Sequence, residues 1–349
     1  MNLKHFVSLC ACVILTASNA TLDGQNHSDL PKVLVVATGG TIAGQQDEPG
    51  TLGRYEITRT ADDIVNSVPT LSRYATVETE QFANIRSPSI TPKHWLSLAK
   101  RLNQLFITKP DLAGIVVTHG TDRLEETAFF LHLSIRSKKP IVIVGAQRPP
   151  TGISPDGPLN LLSAVRVAAD PKAVDKGVLV VMDGKILSAR NATKMYPRSG
   201  GFDKIEMGML GVVTTESIEF FYSPVRRHTA TSEFNVTELS TLPRVGISYS
   251  YAGSDGLADL RAQGVVVAAT SLTPSERDFF HGLSEKGIVI AETYPTGSHV
   301  VPTHRPTTQD THPIVAVKHL NPLKARILLM LALTKTTDPA EVQAIFDQY

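Results

Sequence analysis

The chain has 349 residues, of which 42% are hydrophobic, and this composition excludes a disordered, coiled-coil or collagen-like protein. Lysine and arginine together number 34, and aspartate and glutamate 33, so the charge balance argues against binding to nucleic acid or to an anionic membrane. A chain of this length can form one large domain or two smaller ones.

The start of the chain has the pattern of a secretory signal peptide. Lys4 and His5 form a short basic region. The apolar run Phe6–Ala17 follows, then small residues and a cleavage position after Ala20. This run is too short to cross a hydrocarbon core of about 30 Å, and the alternative is a buried N-terminal helix. We therefore predict a signal peptide at residues 1–20. The mature product is then periplasmic or secreted, has no membrane contact, and has lost both cysteines.

Strands and helices alternate through the next part of the chain, residues 21–225. Short β-branched runs predict strands, and helical spacing of apolar residues predicts helices between them. The predicted strands are Val33–Ala37, Gly114–Thr118, Ile141–Gly145 and Val178–Met182, and the predicted helices are Trp95–Phe106, Leu124–Ile135 and Leu159–Ala168. Such alternation favours a mostly parallel sheet covered on both faces, in which ligands bind beyond the carboxyl ends of the strands.

A polar, irregular stretch at residues 226–244 predicts a linker to a second domain at residues 245–349. The second domain repeats the alternation of strands and helices. Its predicted strands are Val245–Tyr249, Val265–Ala269 and Gly287–Glu292, and its closing helices are Pro322–Leu333 and Pro339–Phe346. The predicted fold is therefore α/β, with a large N-terminal mostly parallel-sheet domain and a second, smaller C-terminal α/β domain.

Three polar clusters lie at or just past the ends of predicted strands. The first is the glycine-rich stretch TGGTIAG at 38–44, whose backbone can turn sharply and approach a ligand closely. The second is His119–Asp122 and the third is Asn191–Lys194. Each also has an ordinary structural interpretation: a strand-to-helix turn, a helix-capping aspartate beside a structural histidine, and a solvated lysine.

Together the clusters contain the parts of an activated hydroxyl nucleophile. A threonine hydroxyl is a weak nucleophile at neutral pH until a base removes its proton. One way to activate such a hydroxyl is to place it beside a lysine, with a carboxylate that sets the charge of the lysine. The chain has no G-x-S-x-G motif and no phosphate-binding glycine motif, which argues against a serine hydrolase and a nucleotide enzyme. The clusters form one site only if the fold brings them together.

In order and spacing, the clusters resemble the signature of bacterial type II L-asparaginases, the asparaginase-glutaminase family. The likeness rests on TGGTIAG at 38–44, HGTDRLEET at 119–127 and NATK at 191–194. It extends to GAQRPPTGISPDGPLNLLSAV at 145–165 and to NPLKARILLMLALTKTTDPAEVQAIFDQY at the C-terminus. The resemblance covers nearly all of the mature chain.

The resemblance implies a catalytic role for five residues. Thr41 matches the nucleophile, and Tyr55 matches the tyrosine of the mobile loop that closes over the site. Thr121, Asp122 and Lys194 match a second threonine–aspartate–lysine triad. Three residues are also implied in substrate binding: Thr121, Asp122 and Ser87. In the family, Ser87 corresponds to a residue that holds the α-carboxylate, and Asp122 to one that receives the α-ammonium group.

The chain departs from the family at three positions. Pro88 stands where the family has Gln or Glu, and its side chain can neither donate nor accept a hydrogen bond. The stretch Thr270–Thr273 replaces a Gly-Asn-Gly stretch, and the glutamate expected after Gly297 is absent, with His304 near its place. In the family, the last two positions reach the substrate of a neighbouring subunit. We therefore expect the nucleophilic residues to be intact and some of the contacts that recognise the substrate to be altered.

The resulting hypothesis is hydrolysis of L-asparagine to L-aspartate and ammonia through an acyl-enzyme on Thr41, with L-glutamine as a second substrate. No cofactor is expected, and no metal site, because the spacing of His299, His304 and His312 matches no standard zinc pattern. The resemblance implies a homotetramer. The alternatives are a glutaminase or other amidohydrolase with altered specificity, and a non-catalytic exported amino-acid binder.

Overall fold

The computed structural model describes residues 30–50, 54–204, 208–297, 301 and 314–349, and residues 31–349 belong to one compact unit. The predicted signal peptide and the histidines at 299, 304 and 312 lie outside the described residues. No helix within these described ranges is long and apolar enough to cross a membrane.

The elements are numbered in chain order. The strands are β1 (Lys32–Gly39), β2 (Gly44–Gln45), β3 (Glu56–Ile57), β4 (Thr76–Ile85), β5 (Leu112–Thr118), β6 (Ile141–Val144), β7 (Val178–Met182), β8 (Lys185–Ser188), β9 (Ala192–Lys194), β10 (Phe202–Lys204), β11 (Gly211–Val213), β12 (Ile218–Phe220), β13 (Val245–Tyr249), β14 (Gly264–Ala268), β15 (Val289–Thr293) and β16 (Val315–Ala316). The helices are α1 (Ala61–Asn66), α2 (Pro92–Thr108), α3 (Leu124–Ser134), α4 (Gly157–Ala169), α5 (Pro274–Ser284), α6 (Pro322–Ala332) and α7 (Pro339–Gln348). Short 3-10 turns occur at Thr41–Ala43, Pro69–Arg73, Ser87–Ser89, Pro171–Ala173 and Thr229–Thr231.

Among the described residues, eight strands form the larger sheet, in the order β12-β11-β8-β7-β6-β5-β1-β4. The strands from β4 through β1, β5 and β6 to β7 are parallel, whereas β8, β11 and β12 add antiparallel pairs at the other end. The prediction of a large, mostly parallel sheet is confirmed. Its carboxyl ends define one edge, at which the loops after β1, β5 and β6 meet.

Helices cover both faces of this sheet, and this double coverage explains why its strands are apolar. Along β1, Leu34 and Val36 pack against the side chains of α2 and α3. The alternate residues Val33 and Val35 pack on the opposite face with α1 and α4. A strand buried on both faces needs apolar side chains at consecutive positions, which is why these strands have continuous apolar sequences.

The smaller sheet contains β13, β14, β15 and β16 in that order, and all of its pairs are parallel. On one face Val265 and Val267 pack with α5. On the other face, Val266 belongs to a core that includes α6 and also Phe129 of α3. The predicted smaller C-terminal α/β domain is confirmed, and its inner face shares a continuous apolar core with the larger sheet.

The stretch predicted as a linker, residues 226–244, has irregular backbone apart from one 3-10 turn. Phe234 and Val236 are nevertheless buried in the shared core, and the Phe234 ring lies 5.1 Å from the ring of Tyr349. The segment is therefore anchored in the core at these two residues, and the domain boundaries stay a prediction.

Candidate active site

Thr41 lies in the turn that follows the central strand β1. Gly39 and Gly40 both have positive φ, at 103° and 83°, a conformation that favours glycine. A Cβ atom on Gly40 would lie 2.2 Å from the Cα atom of Gly120, so glycine is required for the two loops to touch. The Gly40 N–H donates to the carbonyl of Ile85 at 3.1 Å, which ties the turn to the end of β4.

The loop after β5 is shaped by a buried histidine. His119 Nδ1 donates to the carbonyl of Gly120 at 2.7 Å, and the Thr127 hydroxyl donates to Nε2 at 3.0 Å. The Thr127 oxygen in turn accepts a hydrogen bond from the indole N–H of Trp95 at 3.0 Å. Burial lowers the pKa of His119 to about 4, so the ring is neutral at physiological pH. His119 is the structural histidine that the sequence predicts.

Tyr55 contacts the Thr41 hydroxyl directly. The two oxygen atoms are 2.7 Å apart, and Thr41 is only 8% exposed. The short antiparallel pair of β2 and β3, in which Gly44 pairs with Ile57, brings the chain back beside the turn that carries Thr41. A Cβ atom on Gly44 would lie 2.6 Å from the Tyr55 ring, so a glycine is needed for the ring to fit there.

Lys194 joins the second threonine to an aspartate. Its Nζ atom donates to Thr121 Oγ1 at 2.8 Å and to Asp122 Oδ1 at 2.6 Å. The Lys194 side chain is 15% exposed, whereas that of Asp122 is 56% exposed and faces open solvent. The ion pair thus has one sheltered member and one accessible member.

A buried lysine holds the strand that carries Lys194. Lys324 of α6 is fully buried, and its Nζ donates to the carbonyls of Arg190 at 2.9 Å and Ala192 at 2.5 Å. Burial lowers the pKa of Lys324 to about 8, and the nearby Glu125 carboxylate opposes this shift. The C-terminal part of the chain therefore fixes the backbone on which Lys194 stands.

Ser87 links the end of β4 to the loop that carries Thr121. Its hydroxyl donates to the carbonyl of Gly120 at 2.6 Å and accepts from the backbone N–H of Arg123 at 2.8 Å. Ser87 is 5% exposed. Ser87 thus lies beside the loop that carries Thr121, and its hydroxyl is engaged by the backbone of that loop.

All six residues predicted for the site line one cavity of about 210 Å³. They are Thr41, Tyr55, Ser87, Thr121, Asp122 and Lys194. The fold therefore brings together clusters that lie far apart in sequence. Pro88, which replaces the expected Gln or Glu, also lines the cavity.

Two polar residues of the cavity were not predicted, Gln147 and Arg86. Gln147 Oε1 lies 3.4 Å from Thr121 Oγ1, and the Asp156 carboxylate accepts from the Gln147 backbone N–H. Gln147 follows the end of β6, so the rule that ligands bind beyond carboxyl strand ends would have found it. Arg86 follows β4, an edge strand that the sequence pattern did not reveal.

An α/β sheet that presents two threonine hydroxyls at its carboxyl edge, one beside a tyrosine and one beside a lysine–aspartate pair, is the arrangement of a threonine-dependent amidohydrolase. Residues 32–226 match the family model described as "Asparaginase, N-terminal", and residues 244–346 match "Glutaminase/Asparaginase C-terminal domain". The chain belongs to the asparaginase family, and it is an amidohydrolase acting on asparagine.

Individual relatives agree with this assignment. The chain is 40% identical to L-asparaginase 2 of Bacillus subtilis over 96% of this chain and 91% of the relative. It is 37% identical to the glutaminase-asparaginase of Pseudomonas fluorescens over 99% of each chain. The crystal structure of a probable cytoplasmic L-asparaginase from Campylobacter jejuni superposes with a TM-score of 0.85 at 37% identity, covering 91% of this chain and all of that one.

The similarity to the Campylobacter jejuni structure corrects one prediction. A periplasmic or secreted location was predicted from residues 1–20 alone, and these lie outside the described residues. That prediction is contradicted, because the similar structure is described as a probable cytoplasmic enzyme. A protein described as probably cytoplasmic has this fold, so the fold gives no support for export.

Proposed function

We propose that Thr41 is the nucleophile that attacks the side-chain amide carbon of L-asparagine. The observation that carries this proposal is the placement of the Thr41 hydroxyl in the cavity, 2.7 Å from the Tyr55 hydroxyl. A second hydroxyl gives the threonine proton a path away from the attacking oxygen. The reaction yields L-aspartate and ammonia.

In the first half of the reaction, the Thr41 oxygen forms a bond to the amide carbon. Its proton passes to the Tyr55 oxygen as Tyr55 gives up its own hydroxyl proton toward the amide nitrogen. The tetrahedral oxyanion is stabilised by backbone N–H groups and by the loop that carries Thr121. The amide nitrogen then takes up a proton and leaves as ammonia. The product of this half is a β-aspartyl ester on Thr41.

In the second half, a water molecule attacks the ester carbon and restores the Thr41 hydroxyl. Thr121, Lys194 and Asp122 are the groups that orient and activate this water. Lys194 donates to both of the other side chains, at 2.8 Å and 2.6 Å, and therefore fixes their relative positions. A preorganised group of this kind contributes typically about 10²–10⁴-fold to the rate.

The substrate's charged ends are held at two places. Ser87 lies beside the α-carboxylate, and the accessible carboxylate of Asp122 faces the α-ammonium group. Thr121 contacts the substrate between them. Pro88 supplies no polar side chain at this position, so fewer contacts reach the α-ammonium group.

The test is ammonia release by the wild type and by the Thr41→Ala and Thr121→Val variants, with L-asparagine and L-glutamine measured side by side. We expect asparagine turnover that disappears in both variants, and we expect normal turnover from the control Thr108→Ala, an exposed threonine at the end of α2. Full activity of Thr41→Ala would exclude Thr41 as the nucleophile.

L-Glutamine is the second substrate that we propose, because one relative is named a glutaminase-asparaginase. One additional methylene changes binding by only about 1–3 kcal/mol in a pocket of this kind. The ratio of the two kcat/KM values therefore decides whether this chain is mainly an asparaginase. A higher value for glutamine would assign it as a glutaminase.

We further propose that the chain forms a homotetramer and that residues 226–244 mark the boundary between its two domains. Large apolar side chains are exposed on the C-terminal domain, among them Tyr251, Leu257 and Leu260, at 63%, 69% and 67% exposure. Such side chains suit surfaces that become covered by other subunits. A measurement of molar mass in solution that gives only monomer would contradict the tetramer.

A further inference from the structure

Arg86 is a cation at the cavity that the mechanism above does not use. It lines the cavity beside Ser87 and Pro88, and its guanidinium carbon lies 5.7 Å from the centroid of the Tyr55 ring. The residue is exposed to solvent, so a ligand can reach it. An arginine in contact with the tyrosine that touches the nucleophile is well placed to affect the reaction.

The backbone around Arg86 is fixed on both sides. The carbonyl of Ile85 accepts from the Gly40 N–H at 3.1 Å, in the turn that carries Thr41. The carbonyl of Arg86 accepts from the Ser89 N–H at 2.9 Å, within the 3-10 turn that begins at Ser87. Arg86 is thus anchored between the nucleophile turn and Ser87, and only its side chain is free to adapt to a ligand.

The formal charges around the cavity favour an anion at Arg86. Lys194 and Asp122 form an ion pair at 2.6 Å and balance each other. Among the described residues, no carboxylate lies within 4.0 Å of the Arg86 guanidinium, so its charge stays uncompensated in this part of the protein. Of the three charged side chains that line the cavity, Arg86 alone lacks a counter-ion there.

We propose that Arg86 is a specificity-determining residue that binds the α-carboxylate of the substrate, together with Ser87. This proposal rests on the proposed function and adds to it the group that recognises the substrate's charge. A guanidinium binds a carboxylate through two parallel N–H···O bonds, which fixes orientation as well as charge. The Ser87 hydroxyl is already engaged by Gly120 and Arg123, so a second donor for the carboxylate is needed.

The arrangement also determines which ligands the site selects. Recognition depends more on the carboxylate than on the α-ammonium group, because Pro88 cannot pair with the ammonium group and Asp122 divides its charge between that group and Lys194. Ligands that keep the α-carboxylate and lack the ammonium group therefore retain binding. Succinate has this chemistry, whereas β-alanine keeps the ammonium group of aspartate and lacks its α-carboxylate.

The experiment measures kcat and KM for L-asparagine, and competitive inhibition by succinate and β-alanine, in the wild type and in Arg86→Gln and Arg86→Lys. We expect Arg86→Gln to raise KM for L-asparagine about tenfold, the size typical of one accessible charged hydrogen bond. The succinate inhibition constant rises by the same factor, and inhibition by β-alanine is unchanged. Arg86→Lys keeps the positive charge but cannot form the two parallel hydrogen bonds, and it gives an intermediate KM.

A purely positioning role of Arg86 on the Tyr55 ring predicts a different result. Arg86→Gln would then lower kcat and leave both inhibition constants unchanged. That outcome, or a KM change below twofold, would overturn the proposal. The wild-type arm separates this failure from a failure of the proposed function, since no ammonia from L-asparagine would contradict the function itself. Even in that case, the ratio of succinate to β-alanine binding, measured by calorimetry, still tests Arg86.

Discussion

The two threonines of the site stand in different surroundings. Thr121 is held by a charged donor, Lys194, whose strand is fixed in turn by the buried Lys324. Within the described part of the chain, the Thr41 hydroxyl has one side-chain hydrogen-bond partner, the hydroxyl of Tyr55. Charge-assisted hydrogen bonds are roughly twice as strong as neutral ones. The Thr121 half of the site is therefore preorganised by the fold, whereas the Thr41 half depends on the placement of one tyrosine.

The largest loss of activity is expected when the hydrogen bonds of the Thr121 half are removed. Lys194→Met removes the donor to Thr121 and leaves Asp122 without its partner. We expect kcat for L-asparagine to fall about a thousandfold, in the range of a lost general acid–base group, with a small change in KM. Steady-state kinetics measures this effect. Lys138→Met, which removes an exposed lysine paired with Asp175, is the matched control and should keep full activity.

The buried histidine in the loop that carries Thr121 predicts a loss of folding stability in acid. The pKa of His119 is lowered to about 4 in the folded protein, from 6.5 in the unfolded chain. Between these values the unfolded state binds more protons, so stability falls as the pH drops from 6.5 to 4, by about 3 kcal/mol from this residue. Burial also lowers the pKa of His132 and His228, which adds a loss of the same sign.

Chemical denaturation at pH 7 and pH 4 checks the histidine prediction. His119→Gln should be less stable at pH 7 and should lose less free energy of unfolding between the two pH values than the wild type. The control is His281→Gln, a partly exposed histidine of α5. Equal acid losses in the wild type and in His119→Gln would show that this histidine does not set the pH dependence.

A smaller loss of activity is expected in the Thr41 half of the site from Tyr55→Phe, which removes only the hydroxyl that contacts Thr41. We expect a fall in kcat of about a hundredfold, because the threonine proton loses its acceptor while the ring still fills its place. Tyr74→Phe, on a tyrosine that does not line the cavity, serves as the control. If Tyr55→Phe costs more than Lys194→Met, the difference between the two halves is the reverse of the one inferred here.

The smallest effect is expected from Lys324→Met, which tests whether the C-terminal part positions Lys194. The carbonyls of Arg190 and Ala192 lose a buried donor, and we expect unfolding to become about 2 kcal/mol easier. We also expect kcat to fall about tenfold, the order of one net hydrogen bond. Lys318→Met, which removes a half-buried lysine paired with Asp347, is the control. Reduced stability with unchanged kcat would mean that Lys324 supports the fold alone.

Much of this site follows from the sequence because parallel strands have a strong local signal. β7 and β13 have the predicted bounds, and the clusters at strand ends meet at one edge of the sheet, as parallel topology requires. β4 was not predicted, because an edge strand with polar side chains on both faces lacks the apolar pattern.

Other features depend on contacts between residues far apart in the chain. Lys324 is ordinary in sequence, and only the fold shows that it is buried beneath β9. Arg86 follows the unpredicted strand β4, so nothing in the local pattern placed it at the cavity. The stretch at 226–244 is polar on average, yet its two buried apolar side chains join the core. In each case tertiary packing decides what local composition cannot.

The most direct test of the mechanism is to trap the ester on Thr41. The Lys194→Met variant, which is impaired in the second half of the reaction, is mixed with L-asparagine, quenched in acid, and analysed by intact mass and peptide mapping. We predict a mass increase of one aspartyl group, located on the peptide that contains Thr41. An aspartyl group on Thr121, or turnover with no covalent adduct in any variant, would contradict Thr41 as the nucleophile.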